Sequence, residues 1–130
     1  MLPAQARLRR RPEFTAVVRS GRRAGRPTMV LHYLSERPAG TGGASVASAG
    51  FATPSPRVGL VVGRAVGGSV VRHRVSRRLR AAAAEELHRI PPTADLVLRA
   101  RPEAADADFG TLRADLAAGL DRLLGARAPR

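Results

Sequence analysis

Residues 57–80 read RVGLVVGRAVGGSVVRHRVSRRLR, and this stretch decides the fold. It opens with a short apolar run of the kind that forms a buried strand. A glycine-rich turn follows, and from about Ser69 the apolar residues recur at helical spacing as far as about His88. Pro91 and Pro92 then end the helix. A strand, a turn and a helix in this order predict a helix that packs on a small sheet.

The predicted helix has two different faces. At about 100° per residue, one arc is apolar and is expected to face the core; it consists of Val71, Val75, Leu79, Ala82 and Ala83. The remaining arc is basic and consists of His73, Arg74, Arg77, Arg78 and Arg80. Arg72 falls on the apolar side near the helix start, where its stem can lie along apolar surface. A merely solvated helix face usually mixes charges to gain ion pairs, so the missing acidic residues favour a surface for a polyanion.

Gly67, Gly68 and Ser69 stand directly before this helix. Backbone N–H groups at a helix N-terminus are unpaired and carry positive potential, which suits a phosphate. The helix dipole disfavours cations at that end, so Arg72 and Arg74 are best explained by an anion bound there. The same glycines have the spacing of a nucleotide phosphate-binding loop, but no lysine precedes Ser69 and no acidic residue is placed to hold magnesium. The sequence therefore argues against an ATPase.

The whole chain is strongly basic. It has 23 arginines, no lysine and ten acidic residues in 130 positions, which gives a net charge of +13. Such a charge repels itself in a compact protein and calls for an anionic partner. Fifteen arginines fall in two windows, residues 7–26 and 57–80, and we expect the windows to meet in one basic face.

Length and composition also limit which class of protein this chain can be. One hundred and thirty residues suit a single domain over residues 1–130. The absence of cysteine excludes disulfides and thiolate metal sites. Because no apolar run resembles a signal peptide or reaches membrane-spanning length, a cytoplasmic protein is expected.

The remaining segments complete an α+β pattern. Gly, Ala, Ser and Pro dominate residues 36–56, which predicts a flexible insertion there. Asp106 or Asp108 is expected to cap the last helix. The other predicted elements are a helix over residues 12–20 that ends before Gly21, strands over 27–34 and 95–100, and an amphipathic helix over 109–123.

The histidines carry no catalytic signal. His32, His73 and His88 have no helical ligand spacing, and no acidic residue is placed to orient them. His32 and Tyr33 alternate along a strand, so one ring should point outward, where it either stacks on a single-stranded base or packs on the sheet. Because the chain has only four aromatic residues, backbone electrostatics must supply most of any affinity for RNA.

These segments together resemble the protein subunit of bacterial ribonuclease P. RLRRRPEFTAVVRSG at 7–21 is similar to the arginine-rich opening and Phe-containing helix of that family, and residues 57–80 are similar to its strand, glycine turn and Arg-Asn-Arg helix. DLVLRARP at 95–102 and the leucine-rich last helix match its remaining strand and helix. The resemblance implies a small two-layer α/β sandwich of the ribosomal protein S5 domain 2-like type, roughly α-β-β-β-α-β-α, with a left-handed crossover.

The resemblance also implies which residues contact RNA. The positions expected to bind RNA are Arg9, Arg10, Arg11, Arg57, Arg64, Gly67, Gly68, Arg72, His73, Arg74, Arg77, Arg78 and Arg80. Phe14, Val18 and His32 match a cleft that holds the 5′ leader of precursor tRNA, with Val18 and His32 in place of more usual aromatic residues. His73 and Gly68 stand where the family has asparagine, and Ala65 and Ser76 where it has lysine.

In that family the catalyst is the RNA subunit with bound Mg²⁺, and no cofactor is expected on the protein alone. The implied partners are ribonuclease P RNA and precursor tRNA, with no membrane and no small-molecule substrate. The alternative is a general RNA-binding or ribosome-associated protein of similar fold. A preference for precursor tRNA with a leader over mature tRNA would separate the two functions.

Overall fold

The computed structural model of the chain describes residues 7–8, 11–35 and 56–124. Within these ranges the helices are α1 (Arg11–Ser20), α2 (Ser69–Glu86) and α3 (Phe109–Leu124), and the strands are β1 (Arg22–Gly25), β2 (Met29–Leu34), β3 (Arg57–Val61) and β4 (Asp95–Ala100). Short 3₁₀ turns follow α2 and β4, at Leu87–Arg89 and Pro102–Asp106. The chain order α-β-β-β-α-β-α is as expected. Arg9, Arg10 and all but the last residue of the predicted insertion over 36–56 lie outside the described residues.

The four strands form one sheet in the order β1-β2-β4-β3. The pairs β1–β2 and β2–β4 are antiparallel, whereas β3 runs parallel to β4. Leu34 at the end of β2 and Arg57 at the start of β3 both pair with Asp95, one on each side of β4. The chain therefore leaves and re-enters the sheet at points about 9–10 Å apart, which is two strand spacings.

Helices α2 and α3 pack together on one face of the sheet and enclose the main core. The apolar arc predicted for α2 is confirmed, since Val75, Leu79, Ala82 and Ala83 are buried there. Alternate residues of the central strands point into this core and are fully buried, among them Met29, Leu31, Leu96 and Leu98. At the start of α3 the Asp108 carboxylate accepts a hydrogen bond from the Thr111 backbone N–H at 2.8 Å, as a cap does. The predicted class, a sheet with helices packed on it, is confirmed.

Helix α1 packs on the opposite face of the sheet. Its Val17 is fully buried there against Leu8 and Val97. The Phe14 ring lies directly over β3 at Gly59, where an added Cβ would come within 2.4 Å of the ring. Glycine at this position therefore allows the close approach of α1 to the sheet.

Because helices pack on both faces of the sheet, the expectation that one ring of β2 is exposed is wrong. One ring of His32 and Tyr33 was expected to point outward, but His32 is 2% exposed and Tyr33 is 4% exposed. Tyr33 lies in the main core, and His32 lies on the α1 side of the sheet. Neither ring is open to solvent, because helices cover both faces of this central strand.

Buried Asp115 of α3 fixes the turn between β1 and β2. Its Oδ2 accepts hydrogen bonds from the backbone N–H of Thr28 at 3.0 Å and from the Thr28 hydroxyl at 2.5 Å. Its Oδ1 lies 3.7 Å from Nε of Arg26. One carboxylate thus satisfies two buried donors and links α3 to the edge of the sheet.

The Asp115→Ala variant is expected to lose about 2–3 kcal/mol of unfolding free energy, because the buried donors of Thr28 would be left unpaired. Urea denaturation followed by circular dichroism measures this loss. Asp121→Ala on the same helix is the matched control, since Asp121 pairs with Arg89 at the surface and should contribute less than about 1 kcal/mol. Equal losses in the two variants would show that the buried carboxylate has no special role.

Candidate nucleic-acid interface

The glycine turn presents an uncapped helix N-terminus. Gly67 has a φ of +154°, which favours glycine, and an added Cβ would lie 3.0 Å from the side chain of Val71. Gly68 is the N-cap residue and offers no side chain, and the first turn of α2 has no acidic residue. Ser69 and Arg74 lie among the residues that line a shallow groove of about 490 Å³ beside this end. Free backbone N–H groups and arginines in one place suit an anionic ligand.

The arginines of α2 and of the turn before it are not neutralised by carboxylates. Among the described residues, no carboxylate lies within ion-pair distance of Arg64, Arg72, Arg74, Arg77, Arg78 or Arg80. Arg74 and Arg78 each donate one hydrogen bond to a backbone carbonyl, of Ala105 at 3.2 Å and of Ala107 at 2.9 Å. A guanidinium has five N–H donors, so both remain able to bind phosphate while the carbonyls orient them.

The structure corrects the prediction that Arg57 contacts RNA. Its side chain is only 13% exposed and pairs with two buried carboxylates. Nε and Nη2 donate to Asp95 at 2.9 and 2.8 Å, and Nη1 donates to Glu13 at 2.8 Å. The hydrogen bonds to Asp95 raise the pKa of Arg57 further above its ordinary value. Arg57 therefore joins α1, β3 and β4, and its guanidinium is not available to RNA.

The N-terminal segment brings one further arginine to α2. The Leu8 backbone N–H donates to the Val58 carbonyl at 2.9 Å, and Arg7 pairs with Val58 as an isolated parallel bridge beyond the edge of the sheet. This contact places Arg7 beside Arg77 and Arg80, with which it lines a groove of about 290 Å³. Arg7 was not among the residues predicted to bind RNA, because nothing in the sequence of the arginine run distinguishes it from its neighbours.

The other arginines of the first window do not all join this surface. Arg11 is exposed at the first residue of α1. Arg22 instead donates to the Leu123 carbonyl at 3.1 Å, and Arg26 lies against Asp115. Both are at or beside β1, which is the sheet edge farthest from β3. The expectation of one continuous basic face is therefore wrong for Arg22 and Arg26. The turn after α1 carries the chain to β1, at the edge of the sheet opposite β3.

An apolar cleft opens between α1 and β3. Phe14, Val18 and Val61 line it in a volume of about 230 Å³, with Val18 45% exposed and Val61 37% exposed. The structure thus brings Phe14 and Val18 together, as the leader-cleft hypothesis requires. Val61 was not predicted, although alternation along β3 from Gly59 places it on this face.

His32 lies on the same sheet face but is covered. Burial lowers the pKa of His32, and the nearby charges of Arg99 and Arg23 lower it further. Its Nε2 is buried without a hydrogen-bond partner. The structure therefore places the third predicted cleft residue beneath the surface of the sheet face and not in the cleft wall.

The part of the chain that the structure describes contains no cluster of three or more His, Asp or Glu side chains able to hold a metal ion. Over the same residues, no helix combines the length and the apolar character needed to cross a bilayer.

Residues 2–124 match the family model for ribonuclease P. The chain belongs to the ribonuclease P protein family. A ribonuclease P protein component from Streptomyces griseus is 48% identical over 128 residues, which are 98% of this chain and 99% of the relative. A solved structure of a Staphylococcus aureus RNase P protein variant has a TM-score of 0.72 at 17% identity and covers 91% of this chain and 87% of its own. The RNase P protein from Thermotoga maritima has a TM-score of 0.65 at 23% identity and covers 90% and 94%.

The ribonuclease P protein family is thus the one that the sequence predicted. The prediction that the chain is the protein subunit of this RNA–protein enzyme is confirmed. None of the relatives named here supports the alternative of a general RNA-binding or ribosome-associated protein.

Proposed function

We propose that this subunit binds ribonuclease P RNA through α2 and holds the 5′ leader of precursor tRNA in the cleft beside α1. The holoenzyme then cleaves the precursor at the 5′ end of the tRNA, in the bacterial cytoplasm. The RNA subunit with bound Mg²⁺ supplies the chemistry. The protein supplies positive charge and a defined shape on which two RNA molecules are aligned.

The unpaired arginines of α2 are the observation that supports this proposal most directly. Arg77 and Arg80 share a groove with Arg7, and no carboxylate pairs with either α2 arginine among the described residues. A groove of this kind follows a sugar-phosphate backbone, and its affinity falls steeply with salt because counterions are released on binding. Such contacts read the shape of a folded RNA more than its base sequence.

The cleft between α1 and β3 suits a single-stranded segment. Phe14 offers one aromatic ring, and Val18 and Val61 add exposed apolar surface to the same cleft. One or two unpaired bases can pack there, because every base has an apolar face. The cleft is less aromatic than a general single-strand binder, so contacts to the leader backbone are expected to supply much of the affinity.

Reconstitution with ribonuclease P RNA tests the proposal. At a Mg²⁺ concentration where the RNA alone cleaves slowly, adding the full chain should accelerate cleavage of precursor tRNA. The protein alone should cleave nothing. Affinity of the holoenzyme for precursor tRNA should exceed its affinity for mature tRNA, which lacks the leader.

Two results would overturn the proposal. Cleavage by the RNA that is unchanged by the protein would show that the two do not form an enzyme. Equal affinity for precursor and mature tRNA would remove the leader-binding role and favour a general RNA-binding protein.

A further inference from the structure

His73 is the side chain whose charge can change near neutral pH in the groove at the start of α2. This groove has a volume of about 490 Å³, and its lining residues are Ser69, Val70, His73, Arg74 and Arg77. The imidazole of His73 is exposed on the helix surface. Arginine stays charged at all ordinary pH values, whereas histidine changes charge between about pH 5 and pH 8. The groove therefore combines two permanent positive charges with one that depends on pH.

His73 stands in a row with Ser69 and Arg77, because residues four apart lie on the same side of a helix. Neighbours in this row are about 6 Å apart along the helix axis. Arg77 also lines the second groove, which it shares with Arg7 and Arg80. A sugar-phosphate chain that binds in the second groove therefore reaches His73 when it continues one turn toward the N-terminus of α2.

No carboxylate of the described residues shares the groove with His73 or lies within ion-pair distance of it. Glu85 and Glu86 of α2 itself begin about 18 Å away along the helix axis. The elements packed against α2 are β3, α3 and the two 3₁₀ turns. The charged or titratable side chains on these elements or directly beside them, none of which lines the groove, are Arg57, His88, Arg89, Arg101, Glu103, Asp106, Asp108, Arg113, Asp115, Asp121 and Arg122. The negative charge that would hold a proton on the ring must therefore come from the RNA.

A phosphate beside an imidazole favours the protonated ring. An opposite charge within about 4–6 Å stabilises the charged form of a titratable group. The imidazolium also has two N–H donors, whereas the neutral ring has one. Since the proton binds more tightly in the complex, the affinity for the phosphate must fall as the pH rises and the proton is lost.

We propose that His73 binds a phosphodiester of ribonuclease P RNA as the imidazolium, so that the subunit takes up a proton from solvent when it binds its RNA. This inference rests on the RNA-binding role of α2 proposed above. It adds a pH dependence that the arginine contacts do not have, because guanidinium groups stay charged throughout this range. Assembly of the holoenzyme is thereby favoured by a lower pH.

The test measures the affinity of the full chain for ribonuclease P RNA between pH 6 and pH 8 at constant salt and Mg²⁺. The unaltered chain should bind roughly tenfold more tightly at pH 6 than at pH 8, because a charge-assisted hydrogen bond is stronger than a neutral one. His73→Gln keeps an N–H donor without the charge and should bind at every pH about as weakly as the unaltered chain does at pH 8. His73→Lys keeps a constant charge and should bind at every pH about as tightly as the unaltered chain does at pH 6. Circular dichroism at each pH verifies that the three proteins are folded.

His88→Gln is the matched control, because His88 is exposed in the 3₁₀ turn after α2 and does not line the groove. This variant should keep the full pH dependence. Calorimetry at pH 7 in buffers with different heats of ionisation counts the protons directly. The unaltered chain and His88→Gln should take up a fraction of one proton on binding the RNA, and His73→Gln should take up none.

The outcomes separate this inference from the proposed function. If the unaltered chain and His73→Gln lose affinity equally between pH 6 and pH 8, the proton binds elsewhere and the inference is wrong, while RNA binding by α2 stands. An affinity of the unaltered chain that does not change with pH has the same meaning. If His73→Gln is weaker by the same factor at both pH values, His73 contacts the RNA as a neutral donor and the proton uptake is wrong. If the unaltered chain neither binds ribonuclease P RNA nor accelerates its cleavage of precursor tRNA at any pH, the proposed function fails and this inference fails with it.

Discussion

Replacing Arg77 and Arg80 together by glutamine is expected to weaken the binding of ribonuclease P RNA about a hundredfold, since a hydrogen bond to a charged group contributes about 1.5–3 kcal/mol. Both side chains lie in the groove with Arg7, and no carboxylate of the described residues competes for them. The salt dependence should also become shallower, by about 0.9 in the log–log slope for each phosphate contact that is lost.

Filter binding or fluorescence anisotropy over a series of salt concentrations measures both quantities. Arg113→Gln with Arg122→Gln removes the same charge from α3 and separates a local contact from the effect of net charge. Equal losses in the two variants would assign the effect to the overall field of the protein. A salt slope unchanged by Arg77→Gln and Arg80→Gln would remove this part of α2 from the RNA interface.

The second large effect is on stability. Arg57→Met is expected to cost about 3–5 kcal/mol of unfolding free energy, because two buried carboxylates would lose their shared partner. Natural domains have about 5–15 kcal/mol in total, so this variant would lie near the limit of folding. Helix α1 should be affected most, because Glu13 reaches Arg57 from that helix.

Urea denaturation measures the loss, and Arg122→Met at the exposed surface of α3 is the control, with an expected change within about 0.5 kcal/mol. A triple variant gives a second measurement in case Arg57→Met does not fold. Replacing Glu13 and Asp95 by leucine together with Arg57→Met removes the stranded charges and should recover most of the stability. A loss below about 1 kcal/mol in Arg57→Met would mean that the carboxylates find other partners or water.

Helix α2 shows what periodicity predicts well. Its apolar arc at Val75, Leu79, Ala82 and Ala83 is buried in the structure, since a long regular pattern leaves only one way to face a core. Strand β1 was missed because its sequence, RRAG, has neither a β-branched nor an aromatic residue. It forms because a hairpin with β2 supplies its hydrogen bonds, and pairing between strands is a tertiary property.

For the functional residues too, the sequence pattern predicts what depends on local spacing but not what depends on contacts between distant segments. Arg57 and Arg77 both stand in an acid-free stretch of the sequence, yet one is buried with carboxylates and the other lines a groove. Their difference depends on Glu13 and Asp95, which lie 44 and 38 residues away from Arg57 along the chain. His32 was misplaced for the same reason, because alternation along a strand does not reveal that a helix covers its second face.

The pairing of Leu34 and Arg57 with the same residue of β4 has a practical consequence for experiments on this subunit. The sheet thus holds the two ends of the connection between β2 and β3 close together, on either side of β4. The entropy of closing a connection between fixed ends grows only slowly with its length. Shortening that connection, or grafting a fluorescent peptide into it, should therefore leave the sheet intact. It is a natural place to attach a reporter for following assembly of the holoenzyme in real time.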